Sequence, residues 1–588
     1  MYSSTLPDPS MDGTLMRINT TVALAALSLS LATGCREQPA APVASHIYTN
    51  GNVITLDGTR GTVEALAIAD GKILAVGSQA EVLPYQGGAT QLIDLDGKTL
   101  LPGFVDAHSH LSGVAIQAIS ANLLPAPDGP VNNISALQQT LRDYMASSAV
   151  VAEHGIVIGF NYDDSQLDEL RHPTRHDLDA VSTELPVVVL HQSGHMGAYN
   201  SLALEMVGIG PESADPAGGI IEREADGKTP SGVLQENAHF AVIYKLMPEF
   251  TEAQYSEVLR AGTAIYAANG FTTVQDGKTD LKTLETFATL SARGIFDLDV
   301  VSYVDLTSGS EDPLMQGPLL SPSYTHNFRI GGVKLTLDGS PQGKTAWFTQ
   351  PYLSPPRGQA ESYAGYGAFT NAEALKWISL AYENDWQLLV HTNGDAAIDQ
   401  LLSAVDTATA AHPGTDRRTV MIHGQFLRQD QMPKLNALEI FPALFPMHTF
   451  YWGDWHRDSV AGLERAENIS PTGWMVEQGM KFSIHSDAPV AFPSSMRILH
   501  SAVNRTTRSG AVLGKRHQLD SLDALKAMTI WPAFQHFEEQ TKGSLVVGKL
   551  ADLVILDKNP LTESPDDILS IRVLETIKEG RTIYSAPH

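Results

Sequence analysis

Cysteine is all but missing: the 588 residues contain one, Cys35. One thiol excludes an internal disulfide and a cysteine zinc cluster, so any metal must be held by His, Asp, Glu or Lys. Basic residues are also scarce, 39 Lys and Arg against 66 Asp and Glu, for a formal net charge of −27. Such a surface repels a phosphate backbone and argues against a nucleic-acid partner. No G-x-S-x-G occurs, which removes the nucleophile elbow of many serine hydrolases. In DGSPQGKT, Gly339 and Gly343 enclose three residues where a P-loop needs four.

The amino terminus stands apart. Met16-Arg17 precedes the apolar stretch TVALAALSLSLA and then TGC, the pattern of a secretory signal. The stretch is short for a membrane span. With small residues before Cys35 it resembles a bacterial lipoprotein signal, whose cysteine is lipidated after cleavage. That implies a periplasmic protein anchored to a membrane through Cys35; a plain signal with an incidental cysteine remains the alternative. Residues 1–35 are thus assigned to the signal and 36–45 to a linker rich in small residues and proline.

Residues 46–100 alternate in short segments broken by glycine turns, and a similar texture returns in 541–588. Neither end holds enough strands for its own core, so the two are expected to form one β-domain around the middle. Between them β-branched runs alternate with helical stretches, as in parallel β/α architecture. Ten runs could be central strands: 104–109, 156–160, 187–191, 271–275, 298–304, 330–337, 387–392, 419–424, 439–445 and 481–486. A closed barrel needs eight. The two set aside are 156–160 and 187–191, because GGIIEREADGKTPSGVL after them reads as an inserted hairpin. The barrel is then placed at 101–540 with an insertion over about 112–265.

Polar ligand types cluster at the ends of these runs. In LPGFVDAHSHL, His108 and His110 are two apart on a strand and so share a face. Lys334 lies in GGVKLTLDG, His391 ends QLLVHTNGD, His423 ends TVMIHGQ and Asp487 ends KFSIHSDAPV. In a β/α barrel these ends meet on one face. Each alone could be a hydrogen-bonded strand-end residue, but Lys334 in an apolar run is costly unless paired or chemically changed.

With LPGFVDAHSH, HMGAYNSLAL, GVLQENA, TTVQDG, VKLTLDGS, HTNGDAAIDQLL, IHGQ, HSDAPV and GSLVVGKLADLVILD, the chain resembles the amidohydrolase superfamily, in particular amidohydrolase family 3 with its N-substituted formamide deformylases. The resemblance implies a distorted (β/α)8 barrel with a composite β-sandwich from both chain ends and an insertion after strand one. By position it implies metal ligation by His108, His110, Lys334, His391, His423 and Asp487. One or two divalent ions, zinc foremost, would be held, and two would require Lys334 carboxylated by CO2. Asp487 would move the proton during hydrolysis of a small amide or formamide. His195, Glu236 and His448 are candidate substrate contacts, with the aromatic residues around His448 as an acyl pocket. Action on another bond (cyclic amide, carbamate, ester or deamination), an inactive binding lipoprotein and a homo-oligomer stay open.

Overall fold

The computed structural model describes residues 42–587 apart from 217 and 357. The signal segment, Cys35 and most of the linker lie outside the described residues.

Eight parallel strands form one sheet in chain order: β1 (Phe104–Val105), β2 (Phe271–Thr279), β3 (Asp299–Asp305), β4 (Phe328–Thr336), β5 (Gln387–Thr392), β6 (Val420–His423), β7 (Phe441–Leu444) and β8 (Ser483–Ile484). These strands read as apolar runs because both faces are covered. Val300, Val333, Leu335, Leu388 and Val390 pack outward among helices such as Asn371–Glu383 and Asp395–Ala411. Val301, Leu389, Val420, Ile422 and Ala443 fill the interior. Thr370 opens the first of those helices with a capping box, exchanging hydrogen bonds with Glu373.

The edge strands β1 and β8 are stitched together by the segment 527–536. Val105 N–H donates to Met528 O (3.0 Å) and Ile484 N–H to Ala527 O (3.0 Å). Gln535 spans the gap, accepting from Ser483 Oγ (2.7 Å) and donating to Ala107 O (2.7 Å). Just past the strands the two edges bond directly, Asp487 N–H to His108 O (3.2 Å) and His110 N–H to Ala488 O (2.7 Å). The seam thus sets DAHSH opposite HSDA.

The runs at 156–160 and 187–191 are strands, Val157–Tyr162 and Val187–His191, but of a separate six-stranded sheet spanning Ala121 to Glu236. This sheet is narrower than the interval 112–265. Helices Leu111–Ala118 and Glu252–Ala268 contribute Leu111, Val114, Val258 and Leu259 to the barrel's main apolar cluster. The chain ends build a β-sandwich: Thr99–Pro102 pairs antiparallel with Leu553–Leu556 in a six-stranded sheet, and a four-stranded sheet packs on it through Leu66, Ile68, Val53 and Ile577.

Barrel, closing segment and sandwich meet in a buried ion network of three acids and three bases. Arg329 on β4 binds Glu538 (2.8 Å), Lys542 binds Glu538 (2.9 Å) and Asp299 on β3, and Lys578 binds Asp299 (3.0 Å) and Asp552 (3.2 Å). Burial alone would raise the Glu538 carboxyl, but Lys542 and Arg329 outweigh it and hold Glu538 well below the usual carboxylate range. Glu538→Gln, which leaves two buried cations short of a partner, should cost about 3–5 kcal/mol and lower the thermal-unfolding midpoint. Arg581→Gln, breaking an ion pair with both members over half exposed, should cost under about 1 kcal/mol. Equal effects would contradict this account of the network.

Candidate metal centre

The seam organises the site. His108 and His110 leave β1 with i, i+2 spacing, and His485 and Asp487 leave β8 with the same spacing. His108 Nε2 and His110 Nε2 each lie 3.4 Å from Asp487 Oδ1, and the His108 and His485 rings are 5.4 Å apart. Asp487 turns its second oxygen, Oδ2, toward His423 Nε2 at 3.8 Å. His391, at the end of β5, places Nδ1 3.2 Å from His423 Nε2. Lys334 enters from β4 with Nζ 2.9 Å from His108 Nε2. Six strand-end side chains named from sequence therefore converge, and His485 joins them.

Backbone conformation aims two of these groups. Val420 and Ile422 face the barrel interior while Met421 faces the helices, so simple alternation would turn His423 outward. Its left-handed backbone, φ 72°, brings the ring back over the mouth. Asp487 also sits at positive φ, 54°. His and Asp tolerate this region better than most residues, and its cost is met where a side chain must be aimed.

Burial disfavours the charged form of five of these groups. It pushes His108, His391 and His423 well below the usual histidine value, helped by Lys334 at His108, His195 at His391 and His391 at His423. It lowers His485 to about 4 and Lys334 to about 7. Each of these imidazoles thus keeps a lone pair at neutral pH, the form that ligates a metal. A large unprotonated fraction of Lys334 is the form that can add CO2.

Gln275 on β2 sets which lone pair His108 offers. Its Nε2 donates to Ala107 O (3.0 Å), so its Oε1 must accept from His108 Nδ1 (2.6 Å). His108 Nε2 is left unprotonated and aimed at the centre. Asp338, just past β4, similarly receives the N–H groups of Trp347, Asn393 and Gly394 at 3.0, 2.9 and 2.7 Å and fixes the turn after His391. Neither residue was singled out from sequence, nor was His485, although HSD spells the same spacing as HSH.

The inserted sheet supplies one wall. His195 immediately precedes the strand Met196–Tyr199 and Glu236 ends its antiparallel neighbour Pro230–Glu236, with Glu236 N–H donating to His195 O (2.7 Å). Their side chains pair through His195 Nδ1 and Glu236 Oε2 at 2.8 Å. The His195 ring stands 5.4 Å from that of His391. Burial disfavours the His195 cation, but Glu236 prevails and raises it. His448 is not brought to this centre: helix Met447–Trp455 stacks it on His456, Nδ1 to Nε2 at 3.0 Å, with Phe445 between it and His485. The nearby aromatics are largely engaged in packing: Tyr451 donates to Asp128 (2.7 Å) and Trp455 to Gln342 O (3.1 Å).

The donor set fits a divalent ion. Separations of 3.4 Å are those of tetrahedral donors about 2.1 Å from one ion. Asp487 Oδ1, His423 Nδ1 and both His485 nitrogens are buried without a well-formed hydrogen bond among the described residues. Each such atom costs about 1–3 kcal/mol unless something satisfies it. Another group, Asp164, His172 and His191, lies in the insertion. There Ser193 N–H donates to His191 Nδ1 (3.0 Å), which leaves Nε2 to donate to Asp164 (3.0 Å), a hydrogen-bonded pair rather than an open ligand. Gln275→Leu should weaken metal binding about 10–100-fold with the fold retained, as measured by competition with a chromophoric chelator. Unchanged affinity would remove Gln275 from its orienting role.

A family model described as "Amidohydrolase family" matches residues 91–584. N-substituted formamide deformylase of Arthrobacter pascens is 28% identical over 553 residues, 91% of this chain and 97% of that protein. A putative amidohydrolase of Bacillus subtilis (strain 168) is 25% identical over 561 residues, 92% of this chain and 99% of that protein. Among solved structures, an uncharacterized metal-dependent hydrolase from Pyrococcus horikoshii matches with a TM-score of 0.69 at 23% identity, over 89% of this chain and 99% of that one. At that identity the likeness speaks for the fold. With a family match that spans the barrel and the carboxy-terminal part of the sandwich, the chain belongs to the amidohydrolase family.

Proposed function

We propose that this hydrolase cleaves a C–N bond, amide or formamide, in a small organic substrate, using one or two divalent ions, zinc foremost. The observation that carries the reading is the convergence of imidazoles on the Asp487 carboxylate at the barrel mouth. The formamide deformylase relative supports the choice of bond.

Bound ions would supply Lewis acidity and lower the pKa of a water from 15.7 to about 7. Asp487 Oδ1, with no hydrogen-bond partner among the described residues, takes the proton of the attacking water. As the acid so formed, Asp487 returns that proton to the departing nitrogen. His195, held at Nδ1 by Glu236, turns its other nitrogen to the substrate carbonyl. Lys334 as an amine keeps its place beside His108; as a carbamate it would become an oxygen ligand. The segment at 1–35 would carry the enzyme across the inner membrane, and Cys35 would tether it there by lipid.

Asp487→Asn should retain metal and lower turnover about 10²–10⁴-fold, read on a panel of N-substituted formamides, N-acyl amines, cyclic amides, carbamates and esters. Undiminished turnover would take the proton transfer away from Asp487, and a wild type active on esters alone would replace the amide reading. Cys35→Ser should move the full chain from the membrane to the soluble periplasmic fraction. Unchanged fractionation would refute the lipid anchor.

A further inference from the structure

His485 has no role in the site as first read from sequence, yet it is among its most conspicuous members. It is 1% exposed. Its ring lies 5.4 Å from His108, 5.1 Å from His423 and 4.9 Å from Phe445. Neither ring nitrogen makes a well-formed hydrogen bond among the described residues, although the Ala443 carbonyl approaches one of them. A neutral imidazole carries one N–H and one lone pair; with the N–H turned to the Ala443 carbonyl, the buried lone pair of His485 is still left without a partner. Phenylalanine would fill the same space at lower cost, so the polar atoms call for a ligand.

The neighbours indicate which. His423, His485 and Asp487 each offer a ligand atom, all within 4.8 Å of one another, as do His108, His110 and Asp487. The two sets share Asp487, whose Oδ1 faces His108 and His110 while Oδ2 faces His423. His391, by contrast, has both nitrogens within reach of other groups: Nδ1 meets His423 (3.2 Å), and Nε2 meets Asn393 Nδ2 (3.0 Å) and Gly339 O (3.2 Å).

We infer that His485 is a metal ligand and that His423, His485 and Asp487 form a second three-donor set, joined to the first by the Asp487 carboxylate. This rests on the metal-dependent reading above and deepens it. The second set is complete without His391 and without carboxylation of Lys334. The i, i+2 pair on β8 mirrors the one on β1, so each edge of the seam brings two donors.

The test is a Co²⁺ titration of the chelator-stripped full chain, read by bound metal per chain and by d–d absorption. Wild type should saturate at two ions. His485→Gln and His485→Phe should bind one, with the second ion weakened more than about 100-fold, beyond the loss typical of a residue that only orients a ligand. His448→Gln, a buried histidine outside both sets, should still bind two. Metal-free His485→Phe should melt no lower than wild type, because it removes a buried lone pair that has no partner. Two ions and an unaltered spectrum in the His485 variants would overturn the inference while leaving the metal-dependent reading in place. Saturation of wild type at one ion would overturn the second set, and a wild type that takes up no ion would overturn both readings.

Discussion

Closure of the barrel between β1 and β8 is the constraint on which the site depends. Both strands are two residues long, and their ends are joined through Asp487 N–H to His108 O and His110 N–H to Ala488 O. Those bonds fix the register between HSH and HSD, so that Asp487 Oδ1 lies equally far, 3.4 Å, from His108 and His110. A one-residue slip would turn the alternating donors toward the helices. The stitching by Ala527, Met528 and Gln535 therefore serves the chemistry as well as the fold.

The two ends of the barrel solve opposite electrostatic problems. At the base, Arg329, Lys542 and Lys578 face Asp299, Glu538 and Asp552 with charges matched in number, so burial is compensated by pairing. At the mouth, burial instead disfavours the protonated forms of His108, His391, His423, His485 and Lys334. At one end each charge is neutralised by an opposite charge. The other leaves Asp487 Oδ1, His423 Nδ1 and the His485 lone pair without hydrogen-bond partners among the described residues, the condition of a site built to be completed by something else.

The eight barrel strands are legible in sequence because parallel strands covered on both faces become β-branched runs. The same texture marks Val157–Tyr162 and Val187–His191, which belong to another sheet; only the hairpin following them distinguishes the two. The strand-end ligand types are legible too, since spacing and alternation survive in one dimension. Gln275 is not, because its amide is oriented by Ala107 O from another strand. His485 lies within the run 481–486, read as a barrel strand, and its i, i+2 relation to Asp487 was not recognised as a second ligand pair. His448 was expected at the mouth, but the helix that follows β7 turns it onto His456.

Anomalous X-ray scattering from crystals grown with Zn²⁺ tests the central claim most directly. The account predicts a strong peak within ligand distance of His108, His110 and Asp487 at the β1–β8 seam. Well-ordered side chains there with no peak, or zinc only at the Asp164, His172 and His191 group, would contradict it.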